Sequence, residues 1–271
     1  YTQFVGFKVL ALPIHDKVFI FRLISLAVMY IVLAKFMHVF FATGSVLSVF
    51  WVSSGLALAA LLLGGKQLWP GIYVGAFVIN IWTGNPIWVS ACIAAGNTLE
   101  GLLGVWLLTR SKKLDLYLRN FFDYLRLFFL AGVIGAAVAS VIGTSTLILS
   151  GLITADEYWR NLQHWWMGDI LGIAFIAPLI LVWRELPDWF VRRRLLEAVT
   201  LFGISFLAGQ AIFLDWFYDL VGHINRGYWM YLFVSLAAVR FGLHGALLVI
   251  LMAVTQALVG AIDGLGFFGT D

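Results

Sequence analysis

Ile87-Trp-Val-Ser-Ala-Cys-Ile-Ala-Ala-Gly-Asn97-Thr-Leu-Glu100-Gly-Leu-Leu-Gly-Val-Trp-Leu-Leu-Thr109 carries one charged side chain over its whole length. As a helix rising 1.5 Å per residue it would extend about 34 Å, enough to cross the hydrocarbon core of a bilayer. Similar apolar blocks occur along the chain at 18–40, 45–64, 68–83, 122–151, 161–183, 196–214, 228–241 and 244–262. The third (68–83) and the eighth (228–241) are shorter than the ~20 residues of a perpendicular span. They therefore read as tilted, as lying where the bilayer is thin, or as extending into their loops. The expectation is an all-α, polytopic transmembrane helical bundle of about nine helices, with eight to ten compatible, and 1–271 forming a single integral-membrane domain.

Composition points the same way. The 271 residues are 62% apolar and 11% charged, whereas soluble domains are about a quarter charged. A soluble enzyme, a disordered tail and a nucleic-acid binder are thereby excluded. The sole cysteine, Cys92, has no partner for an intrachain disulfide or a cysteine metal site.

The net charge of +3 reads as topology, because the basic residues fall mostly in short connections. Arg110, Lys112, Lys113, Arg119 and Arg126 separate the fourth and fifth segments, and Arg184, Arg192, Arg193 and Arg194 the sixth and seventh. With Lys8, Lys17, Arg22 and Lys66 they share one side, which the positive-inside rule makes cytoplasmic. Opposite lie Lys35, Arg160 and Arg226, with Asp156, Glu157, Asp215 and Asp219. The N-terminus is expected in the cytoplasm. Nine crossings then put residue 271 outside, so a cytoplasmic effector would require a further helix beyond it.

Polar groups inside spans are the informative positions, since each costs about 2.5 to 3.5 kcal/mol to insert when ionised. Counted from the outer end, Asn97 lies about 15 Å deep, Glu100 about 20 Å and Arg240 about 18 Å. Matching depth and opposite charge predict an intramembrane ion pair between Glu100 and Arg240, either structural or part of a gate. Asp169 lies about 12 Å deep and Trp51, Ser53 and Ser54 roughly 9 to 13 Å. Two readings follow. Either these groups hydrogen-bond neighbouring helices as glue, or Trp51, Ser53, Ser54, Asn97, His164, Trp165, Trp166 and Asp169 line a ligand cavity open to the outer side. The five histidines show no metal-ligand spacing, and no catalytic motif appears, so neither a metal site nor a catalytic residue is expected. Any cofactor is unknown. Ala131, Gly135, Ala139 and Gly143 form an i+4 stripe suited to close helix packing, within the bundle or between copies.

Trp51-Val-Ser-Ser-Gly-Leu-Ala-Leu-Ala-Ala-Leu-Leu-Leu-Gly64 with Leu68-Trp-Pro-Gly71 and Asn80 resembles the membrane-associated sensor domain of the first type, in the MASE family. So do Ala95-Gly-Asn-Thr-Leu-Glu-Gly-Leu-Leu-Gly104, then Trp165-Trp-Met-Gly-Asp169 with Gly172 and Ala177-Pro178, then Arg240-Phe-Gly242 and Gly245. The likeness covers about 18–271. One departure is Ser53, where the family often has proline. The resemblance implies an input module of the bacterial inner membrane that feeds a cytoplasmic histidine kinase or diguanylate cyclase domain. It implies a homodimer too, because those effectors work as dimers. Partners would be the lipid bilayer and an unknown small ligand or membrane protein. The rival readings are a small-molecule or proton-coupled transporter, and a ligand-free anchor and dimerisation scaffold.

Overall fold

The computed structural model describes residues 16–41, 50–110, 114–190, 192–218 and 227–268. Lys8, His15, Lys112, Lys113, Asp219, His223 and Arg226, and 45–49 of the second segment, lie outside the described residues. The described secondary structure is helical throughout, in eight principal elements: α1 (Lys17–Phe41), α2 (Val52–Gly64), α3 (Trp69–Trp82), α4 (Ile87–Thr109), α5 (Phe121–Leu149), α6 (Ala155–Trp183), α7 (Arg192–Phe213) and α8 (Met230–Asp263). Six of these, all but α2 and α3, contain a stretch long and apolar enough to cross a membrane. The chain is a multi-pass helical membrane protein.

The eighth and ninth sequence segments are the two helical arms of α8, which meet at Gly242, where the backbone leaves helical geometry at φ 62°, ψ −153°. The chain reverses there. Arg240 is ion-paired with Glu197 near the start of α7. Gly266 N–H donates to Asp215, just past the other end of α7, at 2.7 Å, and Gly227 sits against the Phe267 ring. Residues 227 and 267 therefore share one end of the hairpin and 240 the other, so the arms 230–241 and 243–263 are antiparallel. Two indoles pin the turn: Trp189 Nε1 donates to the Phe241 carbonyl at 3.2 Å and Trp183 Nε1 to the His244 carbonyl at 3.3 Å. Only glycine adopts this backbone region readily, and nothing lies within 4 Å of a Cβ placed there. Gly242→Ala is expected to cost about 1–3 kcal/mol through backbone strain alone, read as a lowered unfolding midpoint with insertion unchanged.

The main core gathers α1 through α6 around Tyr30, Leu58, Leu61, Ile72, Leu127 and Ile173. Helices α7 and α8 share a second core containing Ile212, Phe213, Met230, Ala237 and Val249. A third cluster joins the two bodies: Met37, Phe41, Phe50 and Ile176 pack with Leu251, Leu258, Val259 and Ile262 of the second α8 arm. Phe21, Val28, Val32 and Val39 of α1 are exposed, as apolar side chains facing lipid should be, since tails solvate them without penalty.

Two helices contain π-helical turns, Leu127–Gly135 in α5 and Gly172–Ile176 in α6. Such turns leave carbonyls without their usual helical donor, and a bilayer supplies none. Side chains meet the need. Trp166 Nε1 donates to the Val133 carbonyl at 2.9 Å. Pro178 lacks the N–H that would serve Ala174, and the Tyr124 hydroxyl donates to that carbonyl at 3.4 Å.

Outside the membrane, α6 opens on a capping box in which the Thr154 N–H donates to Glu157 at 3.0 Å. That bond, then the Thr154 hydroxyl, holds the Glu157 carboxyl below its ordinary range. Because the folded value is depressed, the contribution is fully present above the ordinary glutamate range and fades as pH falls through the folded value.

Candidate functional site

The stretch that begins α2 meets the middle of α6. Trp51 N–H donates to the Gly168 carbonyl at 3.0 Å. A Cβ on Gly172 would overlap the Trp51 carbonyl oxygen, and one on Gly55 would overlap the Gly172 carbonyl oxygen. The two backbones touch only because Gly55 and Gly172 are both free of side chains, as small-residue crossings in membranes require. Trp51 is not helical, and α2 begins at Val52. Its first turn consequently lies beside Asp169.

This contact builds a buried polar cluster. Ser54 Oγ lies 2.6 Å from Asp169 Oδ1 and 3.3 Å from Glu100 Oε2. Asp169 is 0%, Glu100 3% and Ser54 4% exposed, so one hydroxyl hydrogen stands between two enclosed carboxyl groups. Asn97 Nδ2 donates to the Tyr30 hydroxyl at 3.1 Å, and Ser53 Oγ donates to the Tyr30 carbonyl at 3.3 Å. The Trp165 side chain approaches the Asp169 carboxyl, and that of Trp51 the Tyr30 hydroxyl. Four helices, α1, α2, α4 and α6, thus converge on one point. Among the described residues, Asn97 Oδ1, Glu100 Oε1 and Asp169 Oδ2 have no hydrogen-bond partner.

The depth count placed Glu100 and Asp169 about 8 Å apart along the membrane normal. That separation is corrected by Ser54, whose one hydroxyl reaches both carboxyl groups and so puts them side by side. The Glu100–Arg240 pair is also corrected. Arg240 sits at the α8 turn and pairs with Glu197, while Glu100 faces Ser54. Equal depth did not imply neighbouring helices, because α4 lies in the first body and α8 in the second.

Six of the eight proposed cavity residues come together: Trp51, Ser53, Ser54, Asn97, Trp165 and Asp169. His164 is exposed and Trp166 turns to α5. Tyr30 belongs to the cluster and was missed, although a lone tyrosine amid an apolar stretch was a visible signal. The stripe Ala131, Gly135 and Ala139 lies against Gly104, Glu100 and Gly96 of α4, and Gly143 seats the Trp165 ring. It is therefore an internal surface. No group of three or more His, Cys, Asp or Glu side chains converges among the described residues. Elsewhere, a cavity of about 900 Å³ is lined by Tyr117, Arg119, Tyr124, Pro178, Trp189 and the Gly242 turn.

The motifs noted in the sequence thus meet in space: 51–64 crosses 165–172, 95–104 supplies Asn97 and Glu100, and 240–245 makes the hairpin turn. The MASE1 family model matches residues 22–271. The chain belongs to the MASE1 family. No curated protein and no solved structure matches it. MASE1 domains are membrane sensor input modules of signalling proteins, and in this MASE1 domain the buried cluster is where α2, α4 and α6 touch.

Proposed function

We propose that this MASE1 domain is the sensory input of a bacterial inner-membrane signalling protein, with its N-terminus in the cytoplasm. It would act as a homodimer and drive a cytoplasmic histidine kinase or diguanylate cyclase that follows 1–271. The stimulus is a ligand or a partner protein that changes the packing around Asp169. The observation that carries this reading is the convergence of four helices on two enclosed carboxyl groups that share one hydroxyl. Glue alone would pair its polar atoms, and a passive anchor has no need of two buried acids.

A route to the output is available. Asp169 lies three residues before the start of the π-helical turn Gly172–Ile176, and Ile176 packs in the cluster that includes Leu251, Val259 and Ile262 of the second α8 arm. A stimulus can bias the output only through unequal affinity for two packings. The π-helical turn is a natural site for two arrangements, since its carbonyls already depend on side-chain partners.

The test is the output of the parent protein carrying Asp169→Asn or Trp165→Ala. Either should change basal or stimulated activity at least fivefold with membrane insertion and dimerisation intact, an effect of the size of ordinary allosteric coupling. Unchanged output in both would support the anchor reading. Substrate flux through vesicles holding the chain would support the transporter reading.

A further inference from the structure

We infer that Glu100, Asp169, Asn97 and Ser54 form a buried binding site for a small hard cation. The inference rests on the sensory reading above and names the ligand class of the same site.

The argument is a count of donors and charge. The two carboxyl groups and the Asn97 amide present Glu100 Oε1, Asp169 Oδ2 and Asn97 Oδ1 outside any close hydrogen bond among the described residues, all within side chains no more than 4% exposed, and the Trp165 side chain is the one further donor that approaches the Asp169 carboxyl. The Ser54 hydroxyl has one hydrogen for both acids. The ion pairs found among the described residues are Arg126–Asp123, Arg160–Glu157 and Arg240–Glu197, so none serves this site. The N-terminus of α2 offers at most about half a positive charge, which leaves most of two carboxylates unbalanced.

The chemistry of the donor set selects the occupant. All available atoms are oxygens: two carboxyls, an amide carbonyl and a hydroxyl. Oxygen-only sites suit Na⁺, Mg²⁺ or Ca²⁺ and disfavour the softer transition metals. Protons on both acids would also balance the charge and donate to neighbouring acceptors; a metal ion differs in coordinating several oxygens together, and the pH arms of the experiment separate the two. Charge balance favours a divalent ion, which neutralises both carboxylates, over a single Na⁺. An organic cation is disfavoured because Asp169, Glu100 and Asn97 are at most 4% exposed.

The experiment uses the purified chain in lipid nanodiscs, with its thermal midpoint read by tryptophan emission. Choline chloride sets the baseline at constant ionic strength, and NaCl, MgCl₂ and CaCl₂ are the arms, each repeated at two pH values. One metal arm should raise the midpoint saturably by about 5–10 °C at a hundredfold excess over Kd. The rise should vanish in Glu100→Gln and Asp169→Asn and persist in Glu197→Gln. Should the site variants not fold, binding of radioactive Ca²⁺ or Na⁺ to the unaltered chain at one ion per chain provides the same decision. A midpoint indifferent to every metal, or one that responds to pH alone, overturns the inference. Ion binding that leaves effector output unchanged would keep the site and remove the sensory reading. Output that depends on Asp169 without ion binding would do the reverse.

Discussion

Gly172→Val should abolish recovery of folded protein. The α2–α6 crossing has no room for a side chain, since a Cβ at Gly172 overlaps the Trp51 carbonyl oxygen and one at Gly55 overlaps the Gly172 carbonyl oxygen. Overpacking a core usually costs 1–3 kcal/mol when side chains can shift. Here the obstacle is backbone on both sides, so a cost above about 3 kcal/mol is expected. Monodispersity by size exclusion and the fraction extracted in detergent provide the measure. Gly203→Val is the matched control, because nothing lies within 4 Å of a Cβ at that position. Equal recovery of the two variants would show that α2 does not rest on α6 in this way.

The second large effect concerns Ser54. Its hydroxyl is the hydrogen-bonding contact of both Asp169 and Glu100, so Ser54→Ala leaves two enclosed carboxyl groups short of a partner. Leaving a buried polar group unsatisfied costs about 1–3 kcal/mol, and more when it is charged. The loss should shrink when Asp169→Asn is already present, since the amide brings its own donors. A double-mutant cycle in chemical or thermal unfolding should give a coupling of about 1–3 kcal/mol. Additive effects would mean that the three groups do not act as a unit.

What the sequence revealed and what it concealed have physical reasons. The long apolar blocks announced the helices, because a bilayer admits no other open-chain structure. Asn97, Ser54 and Asp169 were legible as members of a buried polar cluster because polar groups at depth are few. The pairing of Glu100 was not, because depth depends on where each helix starts. The first turns of α6, which include Asp156, Glu157 and Arg160, do not look like membrane helix. Nor does sequence reveal which helices are neighbours, and that is why Arg240 was assigned to the wrong acid. The reversal in α8 was half visible: hydropathy read two segments there, but Gly242 closes the turn in a single residue. The stripe on α5 was legible as a packing surface, yet only the fold identifies α4 and Trp165 as what covers it.

If the buried cluster is a sensory input, its state must reach the end of α8. Spin labels on the exposed positions Leu63, at the end of α2, and Asp263, at the end of α8, in a Cys92→Ser background, report that movement by pulsed dipolar spectroscopy. The account predicts that Asp169→Asn shifts the distance distribution or the balance between two populations, while Glu197→Gln leaves it alone. Identical distributions in the unaltered chain and Asp169→Asn, in bilayers and with the effector attached, would contradict it.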